Sequence, residues 1–153
     1  MADTSLNENR LSLLIWQTSN LWHSKLRFLL KDTNIVFNEY LILETLYNLE
    51  RKQDFITQQD ISKNSSVDKS VVSLKISALE SKNYINRLQI LDKRAYSLKL
   101  TDNGNSLIES LIKIVDEQET IIFNKLGSEI FNFTNSLKLL LGKKIRIKAK
   151  LND

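Results

Sequence analysis

The chain holds 153 residues, 42% of them apolar, with 22 Lys/Arg against 18 Asp/Glu for a net charge of +4, which suits a single domain with helical extensions. With no cysteine and a lone histidine, His23, disulfides, thiolate metal sites and thiol redox sensing are excluded, and no metal or other cofactor is expected. No apolar run of about eighteen residues offers a membrane span and the opening "MADTSLNENR" has no signal pattern, so a soluble, cytoplasmic protein is expected, with no membrane partner.

In chain order, Leu11, Leu14, Ile15, Leu21, Trp22, Leu26, Leu29 and Leu30 recur at helical spacing and predict a long first helix over 6–31. A second helix over 38–51 offers Tyr40, Leu41, Leu43, Leu46 and Tyr47 for burial, with Asn38 as its N-cap. Phe55 and Ile56 form a short strand candidate. Thr57 then caps a brief helix, "QQDISKN", whose Ile61 should face the core. The next helix starts at Asp68, a residue able to accept a bond from an orphan backbone N–H, with Val67 and Val72 at the two positions of a hydrophobic staple. Val72, Ile76 and Leu79 make its buried stripe. Lys69, Ser70, Ser73, Lys75 and Ser77 make the opposite face, which is small, polar and basic. Asn83, which tolerates the left-handed conformation of a C-terminal cap, marks the stop. "YINRLQI" and "AYSLKL" pair as two strands around a tip, Leu91-Asp92-Lys93-Arg94. Thr101 caps a long helix over 102–125, Ser128 caps a last one over 129–147, and the tail "GKKIRIKAKLND" is basic.

Short strand, helix, turn, helix and two strands around a charged tip is the order of a winged helix-turn-helix, whose second helix enters the major groove of DNA. The charge agrees with that use. Residues 55–100 carry 8 Lys/Arg against 4 Asp/Glu, whereas residues 1–54 carry 6 against 7 and residues 101–153 carry 8 against 7. Positive charge gathered in one segment is the footprint of a phosphate-binding surface. The amphipathic helices at both ends need apolar cover, and a two-fold dimer is the simplest closed solution. The fold class expected is mostly α with a small β-hairpin wing: a winged helix-turn-helix over 37–101, with dimerisation helices over 1–36 and 102–153 of one domain.

Arg87, Leu88, Asp92, Lys93, Arg94, Leu98, Leu100, Thr101 and Gly104, together with "FNEYLILETL" at 37–46, resemble the MarR/SlyA family of bacterial transcription regulators along nearly the whole chain. The resemblance implies a homodimer on a pseudo-palindromic operator, with repression as the family default. It also implies a wing Arg in the minor groove oriented by an Asp, roles that fall on Arg94 and Asp92. A narrow minor groove does attract Arg, and a carboxylate two residues away can hold its guanidinium. Gln58, Ser66, Lys69, Ser70, Ser73, Lys75, Arg87, Asp92, Lys93 and Arg94 are the expected DNA-binding residues. The chain departs from the family where Leu74 and Ala78 stand at recognition-helix positions that often hold Arg, and where Ile90 and Leu91 make the wing stem apolar.

The resemblance further implies release by a small ligand, an aromatic acid bound near the first two helices, with Trp16, His23 and Tyr40 as candidates. A lone His among aromatic residues at helical spacing also fits plain core packing. No P-loop, G-x-S-x-G, G-x-G-x-x-G or H-E-x-x-H pattern occurs, so an enzyme is not expected. Leu74, Ala78 and the apolar stem keep open an alternative, a winged-helix protein-interaction module with weak or no DNA specificity.

Overall fold

The protein is described from a computed structural model over residues 10–89 and 96–147. It divides into two compact units between Asp116 and Glu117. In the first unit, helix α1 spans Leu11–Leu30, within the predicted 6–31; residues 6–9 lie outside the described residues. Residues 11–20 are all exposed, and α1 joins the core only through its second half, where Leu26 and Leu30 are buried and Trp22 and Leu29 are half-buried. Thr33 closes the helix end, its hydroxyl donating to the Leu30 carbonyl at 2.7 Å.

Helix α2 spans Phe37–Glu50. Its N-cap is Val36 and not Asn38, which lies inside the first turn. Valine has no side-chain acceptor to offer, and the cap works through one reciprocal bond: the Glu39 carboxylate accepts from the Val36 N–H at 3.2 Å. Tyr40, Ile42, Leu43, Leu46 and Leu49 are buried. A helix buried on so many sides is the central post of the unit. Phe55 and Ile56 do not form a strand. Ile56 makes a single bridge to the hairpin, its carbonyl accepting from the Leu98 N–H at 2.8 Å and its N–H donating to Ser97 Oγ at 3.2 Å, while Phe55 is exposed.

Helix α3 spans Gln58–Ser65. Thr57 caps it as the sequence predicts: its Oγ1 accepts from the Asp60 N–H at 3.1 Å, and Asp60 Oδ2 accepts from the Thr57 N–H at 2.9 Å. Ile61 is fully buried. Helix α4 spans Lys69–Ser81, with Val72, Ile76 and Leu79 all at 0% exposure, and Val67 packs against the same core. Asp68 holds the N-cap position but makes no side-chain cap bond; it is exposed, where water can serve the first-turn N–H groups. The helix ends in a Schellman turn, with Asn83 at φ 63°, the Tyr84 N–H donating to the Leu79 carbonyl at 2.9 Å and the Asn83 N–H to the Glu80 carbonyl at 3.0 Å.

Strands β1 (Ile85–Gln89) and β2 (Tyr96–Leu100) pair antiparallel, with Ile85 opposite Leu100 and Arg87 opposite Leu98. The imperfect alternation of β2 follows from cover on both faces: Leu98 and Leu100 face the core, and Ser97 is buried under the Ile56 bridge. The wing tip, with Ile90 to Ala95, lies outside the described residues.

Helix α5 spans Asp102–Phe123. Thr101 Oγ1 accepts from the Gly104 N–H at 2.9 Å, capping it, and donates to the Asn83 carbonyl at 2.7 Å, tying it to the turn after α4. Gly104 is buried where the chain passes Tyr84; a Cβ there would lie 2.1 Å from the Tyr84 carbonyl oxygen. Leu111, Ile108 and Val115 add their side chains to the core of the first unit.

In the second unit a 3₁₀ turn over Asn124–Glu129 precedes helix α6, Ile130–Leu140. Ser128 does not cap it. The N-cap is Glu129, which makes no side-chain cap bond, because the preceding segment is already wound past the break at Gly127 (φ 54°). Nor does the helix reach 147. Gly142 at φ 67° ends it in a second Schellman turn, with the Lys143 N–H donating to the Lys138 carbonyl at 2.8 Å. Asn135 then pins the tail by two bonds to the Arg146 backbone, at 2.7 and 3.1 Å. Among the described residues no helix is long and apolar enough to cross a membrane.

Candidate nucleic-acid interface

A three-residue link joins α3 to α4, and its geometry sets how α4 is presented. Ser66 takes the left-handed conformation at φ 62°, an uncommon state for a residue with a Cβ. The turn is fixed from both sides: Ser62 Oγ donates to the Val67 carbonyl at 2.7 Å, and the Val67 N–H donates to Ser65 Oγ at 3.2 Å. The apolar stripe of α4 is thereby sunk into the core and its opposite pole faces solvent.

At 3.6 residues per turn, that outer pole is a ridge of Ser70, Leu74, Ser77 and Ser81, with Ser73 and Lys69 on one flank. Lys69, Ser70, Ser73 and Ser77 are exposed. Leu74 is 72% exposed. Helical spacing already placed it off the buried stripe; the reading of that face as polar overlooked it. Gln58 is half-buried at the first position of α3, and Ser66 is exposed in the turn.

Arg87 is half-buried on the core-facing side of β1 and reaches α4. Its Nη2 donates to Ser77 Oγ at 2.9 Å, and its Nε lies 3.1 Å from Glu80 Oε2 as an ion pair without hydrogen-bond alignment. The hairpin is thus buckled to the recognition helix by one guanidinium. The predicted wing residues Asp92, Lys93 and Arg94 lie outside the described residues.

Lys75 is half-buried and points to the other flank. It lines a cleft of about 550 Å³ with His23 and Arg27 of α1 and Lys31 just after it, over Leu30, Ile35 and Phe37. Among the described residues, none of those lining it is acidic. The His23 and Phe37 rings sit 3.8 Å apart, tilted by 37°. The three aromatic candidates for a ligand site do not converge: His23 lines the cleft, Trp16 is 64% exposed farther up α1, and Tyr40 is wholly buried in the core.

A feature with no signal in the sequence ties the start of α2 to the end of α4. Lys82 Nζ donates to Glu39 Oε2 at 2.8 Å and to the Asn34 carbonyl at 2.7 Å. Glu39 is 2% exposed, and a buried carboxylate requires such a partner. Two charges 43 positions apart in sequence give no local signal.

Comparison with known proteins agrees with this geometry. The family model described as "ArnR1-like, winged-helix domain" matches residues 31–118. The chain is 25% identical over 129 residues to an uncharacterized HTH-type transcriptional regulator, YdcH, of Bacillus subtilis, covering 84% of this chain and 87% of the relative. It is similar to MepR of Staphylococcus aureus in its DNA complex, with a TM-score of 0.77 and 27% identity over 89% of this chain and 97% of that one. A MarR-family regulator from Rhodococcus sp. RHA1 shares the fold at a TM-score of 0.78 and 15% identity, over 94% of this chain and all of that one. The chain therefore belongs to the ArnR1-like winged-helix family and is a MarR-family winged helix-turn-helix transcription regulator.

Proposed function

We propose that the protein binds pseudo-palindromic operators as a homodimer and represses transcription from them. The observation that carries this is the α4 ridge: a narrow, serine-rich surface, backed by a fully buried stripe, in the segment with the largest basic excess. Short side chains let a helix lie deep in a groove, and the flanking Lys69 can reach phosphate. The likeness to MepR in its DNA complex supports the same use. Dimerisation is supported by apolar surface on each unit taken alone: Leu11, Leu14 and Ile15 in the first are 74%, 44% and 47% exposed, and Ile130, Leu139 and Leu140 in the second are 42%, 61% and 74% exposed. On this reading residues 1–36 and 102–153 form the dimer and residues 37–101 face DNA. Sedimentation of the full chain, alone and with a selected duplex, tests it: a dimer at micromolar concentration and two chains per duplex are expected, and a monomer would contradict it.

The wing contributes through Arg94, oriented by Asp92, with Lys93 beside it. Arg94→Ala should weaken operator binding by about 1–3 kcal/mol while the dimer stays intact, and Asp92→Ala should give a smaller loss. Unchanged operator affinity in Arg94→Ala would remove the minor-groove role.

The cationic cleft is proposed as the effector site. Arg27, Lys31 and Lys75 can hold a carboxylate, and the paired Phe37 and His23 rings can line one side of an aromatic body. Hydroxybenzoates and phenylacetates at a hundredfold excess over Kd should stabilise the protein by about 2.7 kcal/mol and release DNA; Arg27→Ala should abolish both effects. If none of these acids shifts the melting curve, the cleft has another use.

A second reading, a protein-interaction module, is favoured by the exposure of Leu74, Leu88 and Tyr96 (72%, 48% and 48%). It requires that no duplex bind with sequence preference.

A further inference from the structure

We propose that Leu74 is a base-reading residue: it packs against the 5-methyl group of a thymine in each half-site, so the recognition helix selects for T through an apolar contact. The inference rests on the DNA-binding reading above.

Leu74 stands at the centre of the outer ridge, with Ser70 one turn before it and Ser77 one turn after. It is 72% exposed although the core stripe of the same helix is at 0%, so among the described residues it lacks the cover that the stripe has. Both ridge neighbours are short, and Leu74 is the tallest side chain on the line that would face the floor of a groove. What it can meet there is decided by chemistry. The major-groove edge of a base pair offers N7, O6 and O4 acceptors, N4 and N6 amino donors, and a single apolar group, the thymine methyl. An isobutyl group pressed onto guanine or cytosine edges would strip water from donors and acceptors without replacing its hydrogen bonds. Pressed onto a methyl, it buries apolar area instead. The preference therefore has an attractive arm and a penalising arm, as specificity usually requires. Ser70 and Ser77 lie within a turn of the contact and can bond the polar edges of adjacent base pairs. Arg87 fixes the register of this side of the helix through Ser77 and Glu80.

The test is a methyl deletion on the DNA crossed with a truncation on the protein. Duplexes that bind the full-length chain are selected from a random library, and each thymine of the selected site is replaced singly by deoxyuridine, which lacks only the methyl. The wild-type protein should lose about threefold to tenfold in affinity at one thymine per half-site. Leu74→Ala should bind the thymine and deoxyuridine forms of that position equally, with the wild-type unfolding midpoint, because the side chain is exposed. Non-additivity of the two changes is the signature of direct contact. The proposal is overturned if no deoxyuridine position weakens the wild type, or if the loss persists in Leu74→Ala. Failure of the DNA-binding reading looks different: no duplex is retained even at low salt, and both proposals fall together.

Discussion

Lys82→Ala should destabilise the first unit by about 3–5 kcal/mol, the usual cost of removing one partner from a buried ion pair. The pair is asymmetric. Lys82 is 24% exposed at its side chain and Glu39 only 3%, so loss of the lysine leaves the harder group to satisfy. Among the described bonds, Glu39 would keep only the Val36 N–H at 3.2 Å. Glu39→Ala should cost less, since the stranded lysine can reach water and still has the Asn34 carbonyl. Replacing both, Glu39→Leu with Lys82→Met, should restore most of the loss, because the desolvation of two charges disappears with them. Urea unfolding of the four proteins checks the order. A loss under about 1 kcal/mol for Lys82→Ala would place the pair with ordinary surface salt bridges.

Gly104→Ala should cost about 3 kcal/mol, at the upper end of the range for overpacking. The added Cβ would meet Tyr84 backbone atoms at 2.1, 2.9 and 3.1 Å, and a backbone neighbour cannot turn aside as a side chain can. Tyr84 is held in place by the turn after α4 and by the Thr101 N–H, which donates to its carbonyl at 3.1 Å. The strain would therefore spread into the junction of α4, the hairpin and α5, and DNA affinity should fall together with stability. A melting curve matching the parent would show that the two segments can separate without cost.

The "L-T-x-x-G" run was legible as a signature, but its reason was not. Thr101 could be read as a helix cap from its type and place. That Gly104 exists to admit the Tyr84 carbonyl depends on a contact across 20 positions, which no local pattern encodes. Elements whose signal is local came through well: the Thr57 cap, the Val72-Ile76-Leu79 stripe and the left-handed Asn83 each sit where residue type and spacing put them. Errors fell where tertiary context or a stronger local signal competed. Asn38 looked like a cap, yet Phe37 is pulled into the helix, half-buried against the core. The apolar spacing carries the last helix to 147 across Gly142, whose left-handed turn closes it after Leu140.

Among the candidate DNA-binding residues, Lys69, Ser70 and Ser73 stand on the exposed face expected of them. Lys75 is drawn into the cleft beside Arg27 and Lys31. Arg87 is engaged with α4, which a reading of strand alternation alone would not reveal. Leu74 stands where the family often holds Arg, and its 72% exposure at the centre of the recognition helix asks for a functional reason.

The most direct test of the central claim is equilibrium binding of the full-length chain to a selected duplex and to a scrambled duplex, titrated between 50 and 200 mM salt. A dimer that places two α4 helices and two wings on DNA should prefer the selected duplex by about 10³-fold or more, and its affinity should fall with a log–log slope of about −5 or steeper. Equal affinity for the two duplexes, or a slope near zero, would contradict it.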